Sequence, residues 1–482
     1  MSVYDLKLIE ENLKTTDVKN TIEVFLTGTL EDNFIQISGS KDLFNEFNPT
    51  GQEGELFVKE NKILVGIGDI KDVDYDNELL LTPSNVINSM KPLAKLISRN
   101  YKEHKIKFAD NDFIKNCIHG LIQSLYKFDK KFYSEGKIEI FPKILLDHVD
   151  NEIFKVSIAQ CIARVLGDIP SNYLTPKLFS EYIEKLFDGY NVQINVLKED
   201  DWKKEDMYLF DSVARSSSDK GRFVTIKFFN RSNSTDHDIA LVGKGITFDA
   251  GGISLKPSNK MGTMKCDMLG ASTMLSTMLL AVQSNYKANI TCTLPLAFNV
   301  PDGCATKPGD VIVGMNGKSV EILNTDAEGR LILGDALTYT QRKFGKPKYL
   351  IDAATLTGSI RAALGESFCG YFTNNNNFSD LIKESGKEAN EFLHRMPLSK
   401  KYIKTMKSDV SDLRNTDETG LSGACCAAAF LYEFIEKDVN FVHFDIAGVS
   451  MSKTPSGIYN GIAKCRPLLA FYELVKKLVE KL

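Results

Sequence analysis

The sequence predicts an α/β fold in two domains: a smaller N-terminal α/β domain and a larger C-terminal α/β catalytic domain with a central mixed sheet flanked by helices. Three observations lead there. The chain has 482 residues, more than one hydrophobic core usually serves, so two domains are expected. Short apolar runs alternate with stretches of helical spacing along the chain, the pattern of α/β folds. The acids that look chemical fall at the ends of predicted strands, where open α/β sheets build their sites.

In residues 1–150, Ile22–Thr27, Phe34–Ser38 and Lys62–Ile67 read as strands, while Ser84–Ile97 and Phe113–Phe128 have helical spacing. No chemical constellation occurs there, and the expected role is structural, regulatory or oligomeric. Residues 151–170 read as a linker helix. Its apolar positions are Ile153, Val156, Ile158, Ala159, Ile162 and Leu166, and Gly167-Asp-Ile-Pro170 stops it. That leaves 171–482 as the catalytic domain. Within it, Phe223–Phe228 and Ile239–Val242 read as strands, the second delivering Lys244 at its end. Ala271, Met274, Leu275, Met278, Leu279 and Val282 mark an amphipathic helix after Asp267. Val311–Leu323 reads as a hairpin turning at Asn316-Gly317, a pair that tolerates positive φ. The octapeptide Asn324–Leu331 follows. A helix rich in Leu331, Ile332, Leu333, Ala336 and Leu337 comes after it, then a buried strand Tyr349–Ala354. The Asn374–Asn377 run reads as a polar loop.

Composition excludes several classes. A net charge of −4 offers no bulk attraction to nucleic acid or anionic lipid. Nine cysteines (117, 161, 266, 292, 304, 369, 425, 426 and 465) form no Cys-x-x-Cys pair, and the odd count fits reduced thiols in a cytosol. The start, Met1-Ser-Val-Tyr-Asp-Leu-Lys-Leu-Ile-Glu-Glu11, has acids where a signal peptide is apolar. No run approaches the ~18–20 apolar residues of a membrane span. A soluble, cytoplasmic protein with no membrane partner is expected.

The chemistry concentrates in Asn324-Thr-Asp-Ala-Glu-Gly-Arg-Leu331, where Asp326 and Glu328 put hard oxygen ligands beside the fixed cation of Arg330. Upstream, Val242-Gly-Lys-Gly-Ile-Thr-Phe-Asp249 supplies Lys244 and Asp249, Ile253-Ser-Leu-Lys-Pro257 adds Lys256, and Met264-Lys-Cys-Asp-Met268 adds Asp267. Four carboxylates and a lysine amine, gathered by folding, are enough to hold two divalent cations, the equipment of a metal-dependent hydrolase. Taken singly, each acid reads as solvated surface and each lysine as an exposed cation. Gly243, Gly245, Gly251 and Gly252 change that, because they let the backbone wrap a small site. An ammonium does not coordinate, so Lys244 would need a nearby dication to depress its pKa. No His-Glu-x-x-His or Gly-x-Ser-x-Gly pattern occurs, which removes the zincins and the nucleophile elbow. Gly317-Lys-Ser319 resembles the end of a phosphate loop, but Ile312 stands where the first glycine belongs. His443, in an apolar strand pattern, reads as a satisfied core histidine.

These residues resemble a known family. Asn324–Leu331 is similar to the signature of the leucyl aminopeptidases, or cytosol aminopeptidases. The likeness extends through Val242–Pro257, Ala353-Ala-Thr-Leu-Thr-Gly358, Asn172-Tyr-Leu-Thr-Pro176 and His443-Phe-Asp-Ile-Ala-Gly448, over roughly residues 160–470. The resemblance implies metal ligands Lys244, Asp249, Asp267, Asp326 and Glu328, with catalytic Lys256 and Arg330. It implies two divalent metal ions, Mn²⁺ or Zn²⁺, clamping the free α-amino group and scissile carbonyl of a peptide around a bridging water. Lys256 would then stabilise the gem-diolate, and Arg330 would hold a bicarbonate acting as general base. Expected partners are peptides with a free N-terminus, leucine or another apolar residue first, and further copies of the chain in a homohexamer. A DNA-binding regulatory protein acting through the N-terminal domain is the alternative. The net charge and the lack of a basic run in residues 1–150 argue against it. Ile462–Arg466, Cys425-Cys426 and Val165–Asp168 depart from the family's usual sequence and bear on pocket shape and substrate preference.

Overall fold

The computed structural model describes residues 21–30, 33–36, 47, 49–70, 81–100, 105–109, 112–128, 145–146 and 151–482, the last span without 232, 233, 235, 418, 453 and 455. The first eleven residues and the end of the Phe34–Ser38 strand expectation lie outside them. The chain divides into two compact units. One comprises Ser2–Cys161 and Thr454–Gly461, the other Ile162–Lys453 and Ile462–Leu482.

In the first unit the described strands are β1 (Thr21–Leu30), β2 (Asn33–Gln36), β3 (Leu56–Lys59), β4 (Lys62–Asp69), β5 (Lys105–Phe108) and β6 (Leu145–Leu146). They form a mixed sheet in the order β3-β4-β1-β5-β6, with β2 also paired to β1. Helices α1 (Thr82–Asn100) and α2 (Ile114–Leu125) pack on each other. They bury Val86, Met90, Leu93, Ile97 and Leu121, and the sheet buries Val24, Leu26, Ile63 and Val65. Each such side chain contributes about 1.5–3 kcal/mol.

Helix α3 (Asn151–Asp168) runs through the predicted stop glycine and ends before Pro170. The second unit continues with α4 (Pro176–Leu186), β7 (Gln193–Leu197), α5 (Tyr208–Ala214), β8 (Arg222–Phe229), β9 (Ile239–Gly243) and β10 (Gly245–Asp249). Then come α6 (Leu269–Gln283), β11 (Asn289–Asn299), β12 (Val311–Val313), β13 (Ser319–Glu321), α7 (Gly329–Phe344), β14 (Tyr349–Ala354), α8 (Gly358–Leu364) and β15 (Cys369–Thr373). Further on come α9 (Asn376–Glu388), β16 (Leu393–Arg395), β17 (Leu413–Arg414), α10 (Gly423–Tyr432), β18 (Asn440–Asp445) and α11 (Leu468–Glu480), besides two short helices at Glu199–Lys204 and Lys400–Thr405. The Thr-Pro dipeptide starts α4 for a local reason. Thr175 caps it by accepting from Leu178 N, and Pro176 occupies the first turn, where its missing N–H is not needed.

Among the described residues, nine strands form the central sheet, ordered β16-β15-β18-β14-β9-β11-β8-β7, with β10 paired to β11. Its middle is parallel: β11, β9, β14 and β18 run together, while β8 and β15 run antiparallel to them and β7 pairs antiparallel to β8. Ala240, Val242 and Leu350 join one core with α5, α7 and α10, including Phe210, Leu333, Leu337 and Phe430. Helix α6 packs on β9, β11 and β14 and is covered by α11. Every residue of α6 from Leu269 to Val282 is buried, so the expected amphipathic helix is a buried one.

The β12–β13 hairpin forms as expected, with Gly317 at φ +87° in a loop over residues 314–318. Other expectations change in detail. The Asn374–Asn377 run is a helix start: Asn375 caps α9 by accepting from Phe378 N at 3.1 Å. His443 is only half satisfied. Its Nδ1 donates to Asp352 Oδ1 at 2.6 Å, while Nε2 has no hydrogen-bond partner among the described residues. Among the described residues no helix is long and apolar enough to cross a membrane.

Candidate active site

The functional side chains collect at the carboxyl ends of the parallel strands. β9 hands over Lys244, β10 ends on Asp249, β11 ends on Asn299, β14 leads into Thr355 and β18 ends on Asp445. Asp267 follows a 3₁₀ segment, Met261–Cys266, and Asp326 and Glu328 come from the turn before α7. Gly251 and Gly252 turn the chain back toward Lys256 with φ of +87° and +67°. A Cβ on Gly251 would meet Ser254 O at 2.4 Å and Asp326 Oδ1 at 2.9 Å, so the acid cluster closes only over a bare backbone.

Six of the seven residues singled out in the sequence interlock. Lys244 Nζ lies 2.7 Å from Asp267 Oδ2 and 2.8 Å from Glu328 Oε1, and donates to Thr355 O at 3.1 Å. Lys256 Nζ lies 2.7 Å from Asp249 Oδ2 and also pairs with Asp326 Oδ1. One oxygen from each of Asp249, Asp326 and Glu328 lies within 4.8 Å of the others. Arg330 stands apart on the first turn of α7, within the helix rather than before it, where its Nη1 donates to Asn415 O at 2.7 Å. It lines the same cavity, of about 520 Å³, as Lys244, Lys256 and the Asp residues, a size ordinary for a small-ligand site.

The donor set fits divalent cations. Asp267 Oδ2, Asp326 Oδ1 and Glu328 Oε1 are buried and lie within ion-pair reach of a lysine, yet none receives an aligned hydrogen bond. Four acids here face two lysines, a charge balance that a cation shared between the oxygens would complete. Burial, followed by the neighbouring charge of Asp249, raises Glu328 well above the usual carboxylate range. Burial likewise raises Asp267, with Lys244 opposing. For Lys244, burial favours the neutral amine, but Asp267, Glu328 and Asp249 outweigh it and hold the ammonium. Protein groups alone therefore keep Lys244 charged, and a ligating amine requires the added positive charge of a dication in the cluster.

Sequence reading missed the residues that hold these side chains. Asn299 Nδ2 donates to Asp249 Oδ1 at 2.8 Å and Thr325 O at 3.0 Å, and reaches Glu328 Oε2 at 3.3 Å, so one buried amide orients two acids. Thr355 Oγ1 donates to Asp267 Oδ1 at 2.7 Å. Asn415 fixes the octapeptide, its Oδ1 accepting from Leu323 N at 2.9 Å and its Nδ2 donating to Asn324 O at 2.6 Å. Asp445 Oδ2 accepts from Thr357 Oγ1 at 2.6 Å and Oδ1 from Leu356 N at 3.2 Å, pinning the loop that enters α8. One departure reaches the site: Cys426 lines the cavity, with Sγ 3.2 Å from Asp417 Oδ2; buried Lys464, from another, pairs with Glu366 at 2.8 Å.

The sequence pattern of the cytosol aminopeptidase family, catalytic domain, matches residues 161–467. The chain belongs to the cytosol aminopeptidase family. A cytosol aminopeptidase of Encephalitozoon cuniculi is 40% identical over 449 residues, covering 91% of this chain and 90% of that one. The cytosol aminopeptidase of Dictyostelium discoideum is 42% identical over 362 residues, 72% of this chain and 68% of its own. Solved structures share the fold. The cytosol aminopeptidase from Coxiella burnetii superposes with a TM-score of 0.80 at 22% identity, over 98% of this chain and 99% of that one. The bottromycin maturation enzyme BotP, solved in complex with Mn, gives 0.81 at 23% identity over 95% and 99%. Membership in the cytosol aminopeptidase family supports an aminopeptidase function, and so a peptidase hydrolase, as the resemblance of the octapeptide implied.

Proposed function

We propose that the chain is a metal-dependent aminopeptidase of the cytoplasm, removing the N-terminal residue, preferably leucine or another apolar residue, from peptides with a free N-terminus. The observation that carries this reading is the interlocked acid cluster at the carboxyl ends of the parallel strands, with its buried carboxylate oxygens lacking aligned donors. Lys244, Asp249, Asp267, Asp326 and Glu328 would hold two divalent ions, Mn²⁺ or Zn²⁺. When bound, such ions supply an acidified water and a Lewis-acid grip on amine and carbonyl. The apolar preference is supported by Met264, Leu356, Ala447 and Met451, which line the cavity.

Lys256, partly exposed to the cavity, supplies the cationic donor for the carbonyl oxygen as it gains charge. Arg330 is buried, with Nε unpartnered among the described residues, and a planar guanidinium of that kind suits bidentate capture of bicarbonate, the proposed proton carrier. Arg330→Ala is then expected to lose about 10–100-fold in kcat while keeping its metals, and Arg330→Lys to rescue only part. Wild-type enzyme stripped of CO₂ should slow and recover on adding bicarbonate. No rate change on rigorous degassing would remove the bicarbonate role. A homohexamer is proposed from family membership alone, and light scattering at micromolar concentration checks it, with a monomer as the contrary result. The function itself is tested by release of leucine from a chromogenic amide, with and without acetylation of the amine.

A further inference from the structure

We propose that Arg361 makes the cavity selective for peptides that carry a carboxylate besides the groups at the scissile bond, an inference that rests on the aminopeptidase reading above. Arg361 stands on α8, three residues after Gly358, and lines the cavity alongside Ala447 and Met451. Its side chain is 28% exposed, in reach of a ligand yet not free in solvent.

Nη2 donates to Glu366 Oε1 at 2.5 Å, and no hydrogen bond from Nη1 or Nε is present among the described residues. Glu366 has no need of Arg361 for neutralisation. Its Oε2 accepts from Lys464 Nζ at 2.8 Å, and Ser452 Oγ lies 3.4 Å from Oε1. Lys464 is itself buried, its backbone N donating to Ser450 O at 2.8 Å. One carboxylate thus faces two cations, Arg361 and Lys464. Asp417, an acid on the same lining, already has partners, its Oδ1 accepting from Gly420 N at 2.8 Å and its Oδ2 from Cys426 Sγ at 3.2 Å. The guanidinium is therefore held on one edge by a fixed anchor and keeps donors on the others, the geometry that recognises a planar carboxylate.

The carboxylate has three sources: an acidic first residue, an acidic second residue, or the free C-terminus of a dipeptide. Three matched pairs separate them, assayed with the full chain loaded with Mn²⁺: Glu-Gly-NH₂ against Gln-Gly-NH₂, Leu-Glu-NH₂ against Leu-Gln-NH₂, and Leu-Gly against Leu-Gly-NH₂. The readout is the ratio of kcat/KM within each pair. In at least one pair wild type should favour the acid by about tenfold or more, Arg361→Gln should bring that ratio to near one, and Arg361→Lys should retain part of it. The pair that responds names the source. Ratios in Arg361→Gln equal to those of wild type for all three pairs would overturn the proposal. No turnover of any of the six peptides would remove the aminopeptidase reading and the proposal with it.

Discussion

Dialysis against a strong chelator is expected to abolish turnover, and Mn²⁺ or Zn²⁺ to restore it. Asp249, Asp267, Asp326 and Glu328 outnumber Lys244 and Lys256, and three of their oxygens lack aligned donors. So many buried acids persist in a fold only when something compensates them, because desolvating an isolated carboxylate is costly. Divalent ions supply that compensation together with the chemistry. The same ions should raise thermal stability, by about 2.7 kcal/mol at a free concentration a hundredfold above Kd. Full activity in demonstrably metal-free enzyme would contradict this account of the cluster.

Lys256→Met should lower kcat by about 10²–10³, the usual loss for one donor aimed at a developing oxyanion. Lys256 comes from the Leu255–Pro257 segment, and its backbone N is fixed to Ala250 O at 2.9 Å. Its ammonium is therefore delivered by a backbone anchored to the end of β10. In the chain by itself that ammonium also separates Asp249 from Asp326. Metal-loaded Lys256→Met is thus expected to fold and bind its ions normally, while the stripped variant loses more stability than stripped wild type, through repulsion between those two acids. Unchanged kcat in the loaded variant would take Lys256 out of catalysis.

Much of this was legible in the sequence because strand ends and glycines carry local signals. Gly243 and Asp249 close β9 and β10, and the octapeptide packs two acids and an arginine into one turn. Asn299 was not legible, since β11 contains Pro295, which reads as a strand breaker. In the fold that proline sits where β11 stops pairing with β9, at Thr293–Val242, and takes up β10, at Leu296–Gly245. The start of α7 at Gly329 was hidden because Glu328, at its cap position, makes no side-chain cap bond. Arg330 therefore read as a turn residue when it is helical. Thr454–Gly461 groups with the N-terminal unit across some 300 residues of intervening chain, and no local pattern records such a return.

The most direct test of the central claim is the rate of p-nitroaniline release from leucine p-nitroanilide and from its N-acetyl derivative by the Mn²⁺-loaded chain. Both contain the same scissile amide, and only one offers a free amine. The account predicts turnover of the first that disappears with chelator, and none of the second under any metal condition. Comparable cleavage of the acetylated amide would contradict an exopeptidase that holds its substrate by the N-terminus.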